Sequence, residues 1–192
     1  MLSVVVLISG SGSNLLALLK ASENPLYPAK IVAVGSDKDA AGLAHAELFE
    51  VDTFVVEPER FANRDQWAKT LLANVLHHQP DLVVLAGFMK ILPASFITAL
   101  RGKLINTHPS LLPQFPGAHA VRDALTAGVT KTGVTIHKVD EGVDTGEIII
   151  QQEILVEPGD TEQTLHERIK VVERELLVST VEDIASRRIV LV

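Results

Sequence analysis

The sequence contains no cysteine among its 192 residues. Disulfide frameworks, thiolate zinc sites and cysteine nucleophiles are thereby excluded, and any chemistry falls to other side chains. Positive charge is also scarce. Against 24 Asp and Glu there are 17 Lys and Arg, a formal net charge of −7, which disfavours a long polyanion such as nucleic acid but leaves room for a small anion at a local site. Long hydrophobic runs are missing too. The opening "LSVVVLI" has no basic residue before it, is shorter than a membrane span and ends in glycines, unlike a signal peptide or an anchor. The expectation is a cytoplasmic protein. No internal repeat, low-complexity segment or linker divides the chain, so residues 1–192 are read as one domain, large enough to bury about 70% of the surface its unfolded form exposes.

Short runs rich in Val, Ile and Leu alternate with longer segments of helical period, the pattern of a parallel sheet covered by helices on both faces. The expected class is α/β, Rossmann-like. Strands are expected at "SVVVLIS", "KIVAVGS", "DTFVV", "DLVVLAG" and "KLINTH". Helices are expected over residues 14–23 and about 40–49, from an Asn63 N-cap to about 78, and briefly after Pro93. Beyond the proline-rich "HPSLLPQFPGAH" and the helix "AVRDALTAG", the runs "TGVTIHKV" and "EIIIQQEILV" alternate with period two. That rhythm predicts an antiparallel pair around the turn-rich "DEGVDTG". Thr161 then opens a long helix to about 186, and "IVLV" ends the chain.

The loop "SGSGSN" lies between the first strand and the first helix, where open α/β sheets place ligands. It lacks the third glycine of a dinucleotide fingerprint, with Leu15 in its place, and the lysine of a P-loop. Close packing of helix on strand is expected to be lost at Leu15. Two readings stand: a phosphate monoester held by Gly12, Ser13 and Asn14, or a glycine turn capped by Ser13.

In "LINTHPSLLP", Asn106 and His108 share strand parity and leave the sheet on one face, with Thr107 opposite. Pro109, Pro113 and Pro116 stiffen the loop beyond the strand, and Leu112–Pro113 is open to either isomer. A neutral amide donor beside an imidazolium suits an oxyanion forming as a carbonyl becomes tetrahedral. Asp144 is either the carboxylate partner of that imidazolium or a turn residue bonding its own backbone. His108, His119, His137 and Asp144 also number enough ligands for a catalytic metal, but in no recognised spacing. His119 reads instead as the cap of the following helix and His137 as a residue of a half-buried strand. There is no GxSxG elbow, so transfer is expected to be direct rather than through an acyl-enzyme.

Taken together, "VVVLISGSGSN", "DLVVLAGFMKIL", "LINTHPSLLPQFPGAHA" and "VDEGVDTGEIIIQQ" closely resemble the phosphoribosylglycinamide formyltransferase family of purine biosynthesis, within the folate-dependent formyltransferase group. The resemblance implies a catalytic centre at Asn106, His108 and Asp144, with the His as proton donor and the Asp favouring its charged form. It implies nucleotide binding by Gly12, Ser13 and Asn14 at the phosphate and by the segment from Lys170 to Glu173 on the ribose side. The co-substrate 10-formyltetrahydrofolate is expected along the backbone of Met89, Lys90, Ile91 and Leu92 and the loop of Asp140, Glu141, Gly142, Val143 and Asp144. Asn106 also touches the folate, and Arg64 meets its tail. No metal is implied. Lys90 stands where the family often has Arg, and the sequence stops soon after its last strand where some relatives continue.

The implied partners are small molecules, glycinamide ribonucleotide and the formyl folate, with neither nucleic acid nor membrane, on a monomer or homodimer. Two rivals share the features. A formyltetrahydrofolate hydrolase would turn the same three polar residues on water, usually behind an extra N-terminal domain, whereas this sequence opens at the first strand. A non-catalytic nucleotide-binding domain would keep the glycine loop and tolerate loss of His108.

Overall fold

The computed structural model describes residues 1–191; Val192, the last residue of "IVLV", lies outside them. One seven-stranded sheet organises the chain, in the order β3-β2-β1-β4-β5-β6-β7. Its strands are β1 (Leu2–Ile8), β2 (Ala29–Ser36), β3 (Asp52–Val55), β4 (Leu82–Leu85), β5 (Leu104–His108), β6 (Lys131–Lys138) and β7 (Ile148–Leu155). The pairings from β3 through to β5 are all parallel, and β6 and β7 add antiparallel. The α/β class and the antiparallel C-terminal part are thus as the periodicity predicts.

Side-chain alternation divides the core into two layers. Val4, Val6 and Ile8 of β1 pack with Leu15, Leu18 and Leu19 of α1 (Ser13–Ser22) and with Leu177 and Val181 of α6 (Glu162–Ala185). Val5 and Leu7 face the other way, onto Trp67, Leu71 and Val75 of α3 (Arg64–His77) and Phe96 of α4 (Ala94–Ala99). Strand β5 keeps the same division, with Ile105 in the α1/α6 layer and Leu104 in the α3/α4 layer. Residues 106 and 108 therefore project toward α3/α4, and residue 107 toward α1/α6. A third cluster joins Val121 of α5 (Ala120–Thr126) to Val134, Ile154, Leu165 and Ile169.

Helix ends follow the sequence signals with three differences. Asn63 caps α3, its side chain accepting from the Gln66 amide, and Thr161 caps α6 in a reciprocal pair with Thr164. His119 occupies the N-cap position of α5, but its side chain makes no capping bond. The N-cap of α1 is Gly12 rather than Ser13: Gly12 is left-handed (φ 70°) without a side-chain cap, and Ser13 is already helical. The alanine-rich segment forms only a short helix, α2 (Leu43–Leu48), because its first residues carry the loop past Gly42. Among the described residues no helix is long and apolar enough to cross a membrane.

Candidate active site

The strand order reverses direction between β1 and β4, and the loops leaving their carboxyl ends diverge there, which opens a crevice. The loop after β1 is held by backbone approach. The Gly42 amide donates to the Gly10 carbonyl at 3.0 Å, and a Cβ on Gly12 would lie 2.9 Å from the Gly42 Cα. The close packing that a third glycine would supply is thus found between Gly12 and Gly42. Leu15 itself is fully buried in the core, so α1 packs on the sheet through Leu15, contrary to the expectation from the motif. Asn14 is buried, and its Oδ1 has no hydrogen-bond partner among the described residues. A buried acceptor left open at the start of a helix is the feature a ligand would satisfy.

The loop after β4 supplies one wall of a cavity of about 370 Å³. Met89, Lys90, Ile91 and Leu92 line it on one side, Asn106 and His108 form its floor, and Asp140, Gly142, Val143 and Asp144 close the other side. Glu141, expected with them, does not line it. An adjoining cavity of about 470 Å³ contains Arg64, the first residue of α3, with Met89, Lys90 and Ile91. The Arg64 guanidinium donates to the Ile91 carbonyl. Gly12, Ser13, Asn14, Lys170 and Glu173 lie outside both cavities. Thr107 links the two sides of β5: its hydroxyl donates to the buried Glu173 carboxylate at 2.8 Å. Half-buried Lys170 lies one turn before Glu173 on α6, and burial together with the Lys170 charge pushes the pKa of His166 down.

The three residues at the centre come from separate elements and meet. Asp144 Oδ2 lies 3.3 Å from His108 Nδ1, and Asp144 Oδ1 accepts from Asn106 Nδ2 at 3.4 Å. The other ring nitrogen of His108, Nε2, donates to the Phe115 carbonyl at 2.8 Å. Both neighbours of the buried ring are acceptors, an arrangement that a doubly protonated imidazole satisfies at both ends. Asp144 has a left-handed backbone (φ 54°), a conformation costly for a non-glycine residue unless its surroundings impose it. Here the Gly117 amide donates to Oδ2 at 2.8 Å. Burial works to raise the Asp144 pKa, but the hydrogen bonds from His137 and the Gly117 amide and the charges of His108 and His137 outweigh it, and the net shift is downward. The carboxylate is therefore ionised at neutral pH. The Leu112–Pro113 bond is cis.

Sequence reasoning misses His137. In the β5–β6 register Asn106 stands opposite His137 and His108 opposite Thr135, so His137 enters the site from the same face. Its Nδ1 lies 2.7 Å from the Lys138 carbonyl and so carries a hydrogen. Its Nε2 faces Asn106 Nδ2 at 3.1 Å and Asp144 Oδ1 at 3.6 Å. Neutral, the ring accepts from Asn106 and orients the amide; protonated, it meets the carboxylate. The pairing of two histidine-bearing strands is the available signal, but a register 31 residues apart is not written in either strand. Thr135 serves the floor from below, donating to the Ser110 carbonyl at 2.7 Å and accepting from the Leu112 amide at 3.1 Å. The metal reading of the histidines finds no support in the geometry: no group of three or more His, Asp or Glu among the described residues is placed to hold an ion.

A cavity beyond the carboxyl ends of β4 and β5, with an amide, an imidazole and a carboxylate on its floor, is an arrangement suited to group transfer on a Rossmann-like sheet. The family profile described as formyl transferase matches residues 2–181, and the chain belongs to that family. Its relatives are more particular. It is 48% identical over 189 residues to a phosphoribosylglycinamide formyltransferase of Mycobacterium tuberculosis, covering 98% of this chain and 87% of the relative. It is 44% identical over 184 residues to the trifunctional purine biosynthetic protein adenosine-3 of Bos taurus, covering 95% of this chain but 18% of that longer protein. The crystal structure of glycinamide ribonucleotide transformylase 1 from Symbiobacterium toebii superposes with a TM-score of 0.96 at 38% identity, over 100% of this chain and 91% of that one.

Proposed function

We propose that the chain transfers the formyl group of 10-formyltetrahydrofolate to the amine of glycinamide ribonucleotide. The observation that carries this is the meeting of Asn106, His108 and Asp144 on the floor of a cavity walled by residues 89–92 and by the loop ending in Asp144. The names and the extent of the relatives support the same substrates. The pterin lies against the backbone of Met89, Lys90, Ile91 and Leu92, with Asp140, Gly142 and Val143 opposite. The folate tail runs toward Arg64 in the adjoining cavity. The nucleotide phosphate takes the amides at Gly12, Ser13 and Asn14, and the ribose meets Lys170 and Glu173 on the far side of Thr107.

The neutral amine attacks the formyl carbon, and negative charge gathers on the formyl oxygen. Asn106 Nδ2 and the His108 imidazolium stabilise it; their contacts to Asp144, 3.4 and 3.3 Å, are long for hydrogen bonds and are the ones that yield to the new acceptor. Asp144 remains as the counter-charge to the imidazolium. Collapse of the intermediate breaks the bond from carbon to the folate nitrogen, which takes up a proton as the new amide loses one, so the exchange is proton-neutral. His108 and water carry that proton. Because the amine must be neutral and the imidazole charged, kcat/KM is expected to follow a bell-shaped pH dependence.

Residues 1–192 form one such catalytic unit, acting on small molecules in the cytoplasm as a monomer or homodimer, without nucleic acid or metal. The test is a formyl-transfer assay on the purified protein with and without glycinamide ribonucleotide. Formylated nucleotide formed only when both substrates are present is the expected result. Folate deformylation without the acceptor assigns hydrolysis instead, and absence of turnover with nucleotide binding retained assigns a binding domain.

A further inference from the structure

The wall formed by residues 86–93 has no regular secondary structure. Its apolar anchors lie toward its two ends, where Phe88 and Leu92 are buried, while Met89 and Ile91 between them are 72% and 60% exposed. A segment of this kind cannot hold its backbone in one conformation by burial alone. Two polar groups at the tips of neighbouring strands compensate. Ser9, which follows β1, accepts from the Met89 amide at 2.8 Å through Oγ, and its own amide donates to the Gly87 carbonyl at 3.1 Å. The same hydroxyl donates to Asp37 Oδ1 at 2.5 Å, and Asp37 Oδ2 lies 3.7 Å from Lys90 Nζ. Asp37 is only 3% exposed, and Ser9 is equally buried. The backbone of Met89 and the side chain of the next residue are thus both tied to one buried pair, of which Ser9 opens the glycine loop and Asp37 follows β2.

We propose that Ser9 and Asp37 are positioning residues that hold the Met89–Lys90 peptide in the conformation that receives the formyl donor. This deepens the reading of that cavity as the folate site and rests on it. A buried carboxylate accepting from a hydroxyl leaves that hydroxyl oxygen directed at the Met89 amide, and the Lys90 ammonium balances its charge. The donor then meets a wall already ordered, and the entropy of ordering it does not weaken binding.

The test compares Ser9→Ala, Asp37→Asn and Asp37→Ala with the parent enzyme in the full chain. With each substrate varied at saturation of the other, Ser9→Ala is expected to raise KM for 10-formyltetrahydrofolate roughly three- to tenfold, the loss of one hydrogen bond, while KM for glycinamide ribonucleotide moves less than about twofold on the same scale. Asp37→Asn, which keeps an acceptor for Ser9, should lie between the parent and Asp37→Ala. The double variant joining Ser9→Ala to Asp37→Ala should be no worse than the weaker single variant, since the two groups act in series. Equal rises in both KM values, or none, overturn the proposal. Hydrogen exchange of the unliganded chain gives a readout independent of the reaction: Ser9→Ala should speed exchange at residues 88–91 and leave α1 unchanged. Unchanged protection at 88–91 refutes the positioning role, whereas a parent enzyme without turnover, in which exchange responds as expected, refutes the assigned reaction alone.

Discussion

Asn106 contributes a neutral donor, accepted by Asp144 Oδ1 at 3.4 Å, and its Nδ2 lies 3.1 Å from His137 Nε2. Asn106→Ala removes the donor while leaving the ring and the acid in place, so turnover is expected to fall roughly 10²–10³-fold with little change in either KM, measured in steady-state kinetics. Asp144 carries a consequence for stability. Its pKa is lowered in the folded chain, so its ionised form stabilises the fold at every pH above the ordinary carboxylate value of about 3.9, and that contribution is lost as pH falls through the depressed value. Asp144→Asn should therefore show a shallower loss of melting temperature on acidification below about pH 4 than the parent. At this scale the residue types and their parity are legible in "LINTH", because alternation is local. The sequence leaves the partnership of Asp144 open between two readings and makes His137 look structural, because both depend on contacts 27 to 38 residues apart.

The hairpin from β6 to β7 presents the acid. Asp140 Oδ1 accepts from the Gly142 amide at 3.0 Å and from the Thr145 hydroxyl at 2.7 Å, and Gly146 passes so close to the Lys138 carbonyl that a Cβ has no space. Gly146→Ala must move backbone rather than a side-chain tip. It is expected to cut activity more than it lowers the melting temperature, since Asp144 is two residues away while Val139 and Ile149, the nearest residues packed against the core clusters, lie beyond the turn. Parallel assays of kcat/KM and thermal unfolding check this. The element boundaries follow chemistry visible in the chain: Asn63 and Thr161 cap as their side chains dictate. The exceptions have a common cause. Gly12 replaces Ser13 as the first cap, and α2 starts late, because the two glycine-bearing segments touch at Gly12 and Gly42, a contact between loops that neither loop announces.

The whole molecule works as a two-layer support in which α6 spans both tasks. Leu177 and Val181 fill the core, and on the same helix Glu173 receives the Thr107 hydroxyl beneath the strand that carries Asn106 and His108. Leu177→Ala, at a fully buried position, should destabilise the chain by about 2–5 kcal/mol, a fall in Tm of roughly 2–4 °C for each kcal/mol, read by calorimetry. The α/β class and the parallel sheet with its antiparallel end were both present in the order of apolar runs, since periodicity and burial are properties of short segments. The sequence by itself also determined which chemical groups are available: with no cysteine present, thiol chemistry is excluded. Only the tertiary structure decided which of seven histidines matter, that Asp144 is a partner rather than a turn residue, and that Ser9 and Asp37 brace the loop beyond β4. The reason is physical: strand register, sheet order and the approach of one loop to another are set by packing between distant segments, and no segment carries that information alone.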